Sequence, residues 1–197
     1  MASSTRQAII DAAEVLFARE DPDAVTVATI TKEAGQRNQA AVHYHFGGRD
    51  GLLSAIVDQH HDRLDAVRFA RLSELDAEAA GKPLPLEALA GVIVRPMVDE
   101  LGTASGRAFL RIQGDRLAAG VQTGQLAASM VEVGHRLIDV LPAAPEAWRA
   151  ERARLAAVVV NARLAQEAMA SAGDTADPAI LADTLTAAVV AILSIAP

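Results

Sequence analysis

The chain contains no cysteine. That removes disulfides, thiolate catalysis and Cys-based zinc sites together. Aromatic residues make up only 3% of its 197 residues, so a core, if there is one, must be aliphatic and rich in alanine. No apolar run is long enough to span a bilayer; the longest, near residues 187–195, is too short. The N-terminus is small and polar and shows no signal peptide. Catalytic signatures are missing as well: no HExxH, no phosphate-binding Gly-rich loop ending in Lys, no GxSxG, no GxGxxG. Strand-like alternation is absent, as are repeats and low-complexity tracts. What remains is 51% hydrophobic and 22% charged, the balance of a globular chain and not a disordered one. A cytoplasmic protein that is not an enzyme, needs no cofactor and touches no membrane is the expectation.

Periodicity predicts an all-α chain of about nine helices. The first covers residues 4–19, with Ile9, Ala12, Ala13, Leu16 and Phe17 on one stripe. Glu20, Asp21, Pro22 and Asp23 break it. A second helix carries Val27, Ile30 and Ala34 inward, and a third carries Val42 and Phe46. A long helix spans 49–80, its inner side read as Leu53, Ile56, Val57, Leu64, Val67 and Leu75. Helices follow over 86–101, 107–119, 126–141, 145–172 and 177–195. Pro96 should kink or shorten the first of these. Residues 102–106 read as a loop, Pro145 as a first helical residue and Asp177-Pro178 as a cap and start. The last helix has Asp183 as its only charge and is apolar over too wide an arc for a monomer surface. This gives a helix-turn-helix unit over 1–48 and a larger helical unit over 49–197.

Residues 26–53 carry the most information. Thr26 can cap the second helix, Gly35 suits the left-handed residue that ends it, and Asn38 can accept from free N–H groups of the third. Two short helices in this arrangement can expose the second to a DNA major groove. That second helix concentrates polar and aromatic surface in Gln39, His43, Tyr44 and His45.

Net charge is −7, and the first sixty residues hold five Lys and Arg against eight Asp and Glu. The balance argues against nucleic acid, but Arg6, Arg37 and Arg49 can share one phosphate-facing surface. Modest non-specific affinity with a shallow salt dependence is the expectation.

The segment AGQRNQAAVHYHFGGRDGLL, residues 34–53, resembles the TetR/AcrR family of one-component bacterial transcription regulators. The turn between Gly35 and Asn38 is one residue longer than is common. The resemblance implies that Gln39 and Ala40 open the recognition helix where base edges are read, Gln39 pairing most naturally with adenine. It places His43, Tyr44 and His45 against the DNA backbone, His43 standing where Tyr is common. Arg49 replaces the usual Lys that holds a phosphate, and Thr26 can bond a phosphate too. Ala28 and Ala40 have no polar reach, so DNA shape should contribute to specificity. The resemblance further implies a homodimer joined by the last two helices, a near-palindromic double-stranded operator and an unknown small-molecule effector, with the chain acting as a repressor.

Polar residues on otherwise apolar stretches, Arg111, Gln113, His135 and Asn161, are the candidate effector contacts. No metal site is expected: His43 and His45 diverge, as do His60 and His61, and Asp58, His61, Asp62 and Asp65 read as solvated charge. The competing reading, favoured by the acidic balance, is a helical scaffold that has lost DNA binding.

Overall fold

The computed structural model describes residues 2–20, 24–36, 38–120, 127–170 and 174–197, with side chains from residue 5 onward. The expected break at Asp21–Asp23, the candidate Arg37 and the helix limits near 126 and 172 lie outside the described residues. Nine α-helices occur among them: α1 (Ala2–Arg19), α2 (Val27–Glu33), α3 (Ala40–Phe46), α4 (Arg49–Ala79), α5 (Leu86–Asp99), α6 (Ala104–Ala118), α7 (Ala128–Val140), α8 (Glu146–Met169) and α9 (Pro178–Leu193). A 3-10 turn, Glu100–Gly102, joins α5 to α6. No helix among the described residues is long and apolar enough to cross a membrane.

The α1 stripe is buried as its spacing requires, and Ile10 joins it. A single apolar cluster then runs from Ile9, Phe17, Ile30 and Val42 through Leu52 and Ile56 to Phe109, Leu164 and Leu185. The first three helices are too small to hold a core alone, and their interior is continuous with that of the helices behind them. A second cluster joins Leu72 of α4 to Leu84, Leu89, Val92 and Val133.

The inner face of α4 differs from the expected one. Leu52, Ile56, His60, Leu64, Arg68 and Leu72 are buried in steps of four, while Val67 is exposed. Each four-residue step turns about 40° around the axis, so the buried face winds along the helix. It meets α1 and α3 first, then α5 and α6, then α5 and α7. Two of its six positions carry ionisable groups.

Several boundaries moved for identifiable reasons. Pro96 does not end α5, which continues to Asp99 and tightens only at Glu100. Residues 102–106 are not a loop: the Thr103 hydroxyl accepts from the Gly106 N–H at 2.9 Å and starts α6. Gly106 is needed there, because a Cβ would lie 2.0 Å from the Glu100 carbonyl oxygen. Pro145 caps α8, whose first residue is Glu146. Asp177 caps α9, its carboxylate accepting from Ala179 and Ile180 at 2.8 and 3.1 Å, with Pro178 as first residue. Most of the apolar arc of α9 is spent internally: Leu181, Leu185, Val189 and Leu193 are buried.

Candidate nucleic-acid interface

The turn geometry follows from three residues. The Thr26 hydroxyl accepts from the Thr29 N–H at 3.1 Å and closes the free end of α2. Gly35 adopts φ +66° just past the end of α2, a conformation that costs a side chain dearly. The Asn38 carboxamide oxygen then accepts from the Ala40 N–H at 2.8 Å as α3 begins.

Val42 anchors α3 in the core. Gln39, Ala40, His43 and Tyr44 are all exposed. Positions 39 and 43, and 40 and 44, are one turn apart and share an outward ridge. Tyr44 is 84% exposed, an unusual place for an aromatic ring in a chain with so few. Its ring meets that of half-buried His45 edge-on at 5.0 Å. Phe46 packs inward under the Arg6 guanidinium, 5.1 Å from its ring centroid. Gly47 ends α3 at φ +73°. At Gly51 a Cβ would sit 1.7 Å from the Phe46 carbonyl oxygen, so a glycine in the first turn of α4 is what lets α3 lie against it.

Arg49 is half-buried. Its guanidinium donates to the Val25 carbonyl and lies 5.4 Å from the Phe17 ring centroid. It therefore ties the start of α4 to α1 and to the segment entering α2. Thr26 and Asn38 are exposed at the ends of α2 and α3. The ridge offers a carboxamide, an imidazole and a phenol in a row, a set able to donate to phosphate oxygens and base edges.

Behind the ridge lies a polar cluster that sequence reasoning missed. His60 is 0% exposed. Its Nε2 lies 3.1 Å from Glu14 of α1, and its Nδ1 lies 2.8 Å from Glu100 of the 3-10 turn. The Ser105 hydroxyl donates to Glu14 at 2.6 Å. The ring stacks on Phe109 at 4.5 Å, and Arg63 leans on its edge at 2.8 Å. Burial opposes charge on His60, but the hydrogen bonds it donates to Glu100 and Glu14 outweigh it and raise its pKa. Burial likewise opposes charge on Glu14, and its bonds to His60 and Ser105 prevail and lower its pKa. Both partners shift toward the ion pair. The missed signal was positional: Glu14 falls on the α1 stripe beside Ala13 and Phe17, and His60 falls midway between Ile56 and Leu64.

Of the four candidate effector contacts, only Gln113 and Asn161 are brought together. Arg111 donates to the Phe17 carbonyl at 2.8 Å and so caps the last turn of α1. Gln113 and Asn161 are joined at 2.7 Å, with His61 at 2.6 Å from Gln113. The Gln113 amide N–H₂ donates to Asn161, so its oxygen must accept and His61 must carry its proton on Nε2. Burial, then the nearby Arg68 charge, pushes the His61 pKa down. His135 is exposed on α7. None of the four lines either of two cavities among the described residues. The first, about 390 Å³, is bordered by Arg63, Leu64, Val67, Pro96, Glu100 and Ser105. The second, about 520 Å³, lies between the end of α5 and the residues before α9. Asp65 is no solvated charge: its carboxylate accepts from the N–H groups of Ala128 and Ser129 at 3.0 and 3.2 Å and caps α7.

Comparison with known proteins bears on the ridge directly. Residues 9–56 match the family described as bacterial regulatory proteins, tetR family. That span holds α1 from Ile9 onward, all of α2 and α3, and the first turns of α4. No curated protein matches the chain. Among solved structures, a gamma-butyrolactone receptor (ArpA-like protein) is 20% identical, covering 97% of this chain and 82% of its own, with a TM-score of 0.47. A Mesorhizobium loti MAFF303099 protein assigned to the TetR-family transcriptional regulators is 16% identical over 99% of both chains, with a TM-score of 0.46. Likeness at that level carries no argument for function.

Proposed function

We propose that this chain, whose N-terminal helices belong to the tetR family of bacterial regulatory proteins and make it a DNA-binding transcription regulator, works as a homodimeric repressor in the cytoplasm. It binds a near-palindromic operator and is released by a small-molecule effector. Residues 1–48 form the DNA-binding part and 49–197 the effector-binding and dimerising part. The observation that carries this reading is the bare outer ridge of α3, with Tyr44 84% exposed. Gln39 reads a base edge, while Thr26, Asn38, His43, Tyr44 and His45 hold the backbone beside it, with Arg37 in the turn. Arg49 sets the angle between α4 and the ridge through its tie to Val25. Ala40 lets the helix approach closely.

Dimerisation draws on α8. Trp148, Leu155, Val158, Ala162 and Met169 recur at helical spacing on its outer face and are exposed. The exposed side of α9 adds Ile180 and small residues, Thr184, Ala187 and Ala191, which permit close approach. Twofold symmetry then presents two ridges to two half-sites.

The test is a gel shift at low salt against the DNA flanking the protein's own gene. Gln39→Ala should alter which sequences bind, while Tyr44→Ala should weaken all of them alike. The net −3 over the first sixty residues favours a scaffold instead, and a scaffold gives no shift at any salt concentration.

A further inference from the structure

Acid outnumbers base in this chain, 25 Asp and Glu against 18 Lys and Arg, so an exposed arginine has carboxylates to choose from. Arg71, Arg95, Arg136, Arg154 and Arg163 each pair with one. Arg6 differs. It is exposed in the second turn of α1, and among the described residues no hydrogen bond or ion pair engages it. Asp11, further along α1, accepts from Gln7 at 2.8 Å instead. The Arg6 guanidinium lies over the Phe46 ring, 5.1 Å from its centroid.

The place of that ring decides what Arg6 can reach. Successive residues of a helix turn by about 100°. Phe46 therefore projects about 40° from Val42, the buried anchor of α3, and about 60° from His43 on the outward ridge. It forms the rim between core and ridge, at the end of α3. Neighbouring rings continue the row: Phe46 meets His45 at 6.2 Å, and His45 meets Tyr44 at 5.0 Å. A cation seated on Phe46 and open to solvent borders the ridge that bears Gln39, His43 and Tyr44. The other arginines of the described first fifty residues are placed otherwise. Arg49 is turned inward, onto the Val25 carbonyl and the Phe17 ring. Arg19 is exposed in the last turn of α1, about 20 Å along the helix from Arg6. There the Phe17 carbonyl accepts from Arg111 of α6, well behind the ridge.

We infer that Arg6 grips a backbone phosphate of the DNA beside each recognition ridge. The planar fork of a guanidinium matches two phosphate oxygens. Its seat on the Phe46 ring holds the side chain in advance, so less rotamer freedom is lost on contact. An arginine left without a carboxylate on an acidic chain, at the border of a row of donors, faces the anion that arrives with the ridge's own partner. The salt-dependent part of binding then has a named source in a segment whose net charge is −3 over sixty residues. This rests on the reading of the ridge as DNA-binding.

The experiment uses the full-length protein and two labelled duplexes of equal length, one from the DNA flanking its own gene and one of scrambled sequence. Fluorescence anisotropy gives the affinity across a series of salt concentrations. Arg6→Gln should weaken binding to both duplexes alike, by about tenfold or more at low salt. It should also lower the slope of log affinity against log salt by about 0.9 for each subunit bound. Arg6→Lys keeps the charge and should keep the slope. Arg19→Gln removes the same charge from the far end of α1 and should leave the slope alone. The thermal midpoint of Arg6→Gln should stay within a few degrees of the parent's, since an exposed cation–π contact is worth little. An unchanged slope in Arg6→Gln overturns the inference. So does an equal loss in Arg19→Gln, which assigns the effect to net charge, or a loss in Arg6→Lys as large as in Arg6→Gln. A marked drop in midpoint makes Arg6 a structural clasp on Phe46 and overturns it too. Any of these results beside a parent that binds DNA sinks the inference alone. A parent that binds neither duplex at low salt sinks the regulator reading, and the inference with it.

Discussion

His60→Ala would leave Glu14 and Glu100 facing one another across an emptied space. Both carboxylates bond the imidazole directly, at 3.1 and 2.8 Å. Their side chains are 8% and 15% exposed, so water replaces the imidazole poorly. Breaking a buried pair by deleting one member costs about 3–5 kcal/mol, and loss of the Phe109 stack adds roughly 0.5–1.5 kcal/mol. For a domain of this size each kcal/mol moves the midpoint by about 2–4 °C, so a drop of roughly 7–26 °C is expected. The pH dependence identifies the cause. His60 has a raised folded pKa, so its contribution is complete below the unfolded value of 6.5 and is lost as pH climbs through the folded value. Glu14 is shifted down, so its contribution is present above 4.5 and is lost as pH falls through its lowered value. Urea titrations at pH 6 and pH 9 should show the parent losing stability at the higher pH, with the gap to His60→Ala narrowing accordingly. Replacing Glu14, His60 and Glu100 together by Met, Leu and Met should recover most of the loss. A loss below about 1 kcal/mol, or an equal pH slope in both proteins, refutes the argument.

Gly51→Ala forces a Cβ to within 1.7 Å of a carbonyl oxygen. It should cost about 1–3 kcal/mol by urea titration and weaken operator binding by shifting α3. Thr26→Ala loses the α2 cap and should cost about 1 kcal/mol, with hydrogen exchange accelerating in α2 before the rest of the chain. Leu155→Glu on the outer face of α8 should leave the helical circular dichroism intact while light scattering reports a monomer at micromolar concentration. A dimer that survives it places the subunit contact elsewhere.

These helix ends were legible because each depends on a local pairing. Thr26 with Thr29, Asn38 with Ala40 and Asp177 with Ala179 lie within three residues of one another. Gly35 and Gly47 announce their positive φ by lacking a side chain. The ridge itself was legible, since Val42 is the apolar position of α3 that must face inward and this fixes where Gln39 and Tyr44 point. The polar interior was not. Glu14 and His60 are 46 residues apart, and Gln113 and Asn161 are 48 apart. A polar residue on an apolar stripe says that a partner exists without saying which one. Arg111, chosen as a ligand contact, satisfied a neighbouring helix end instead. Val67 was misplaced for a related reason. On a long helix whose buried face winds, a stripe read at one end points the wrong way at the other.

The 31 residues of α4 make a stiff rod about 45 Å long at 1.5 Å per residue. His60 grips it about 16 Å from its start, and near that start Gly51 sits flush against α3. Such a rod behaves as a beam on a pivot. A tilt of about 5° at the grip displaces the near end by roughly 1.4 Å over that arm. Because the glycine seat leaves no slack, α3 must travel with it. In the homodimer proposed above, two ridges would then change their separation by about twice that amount.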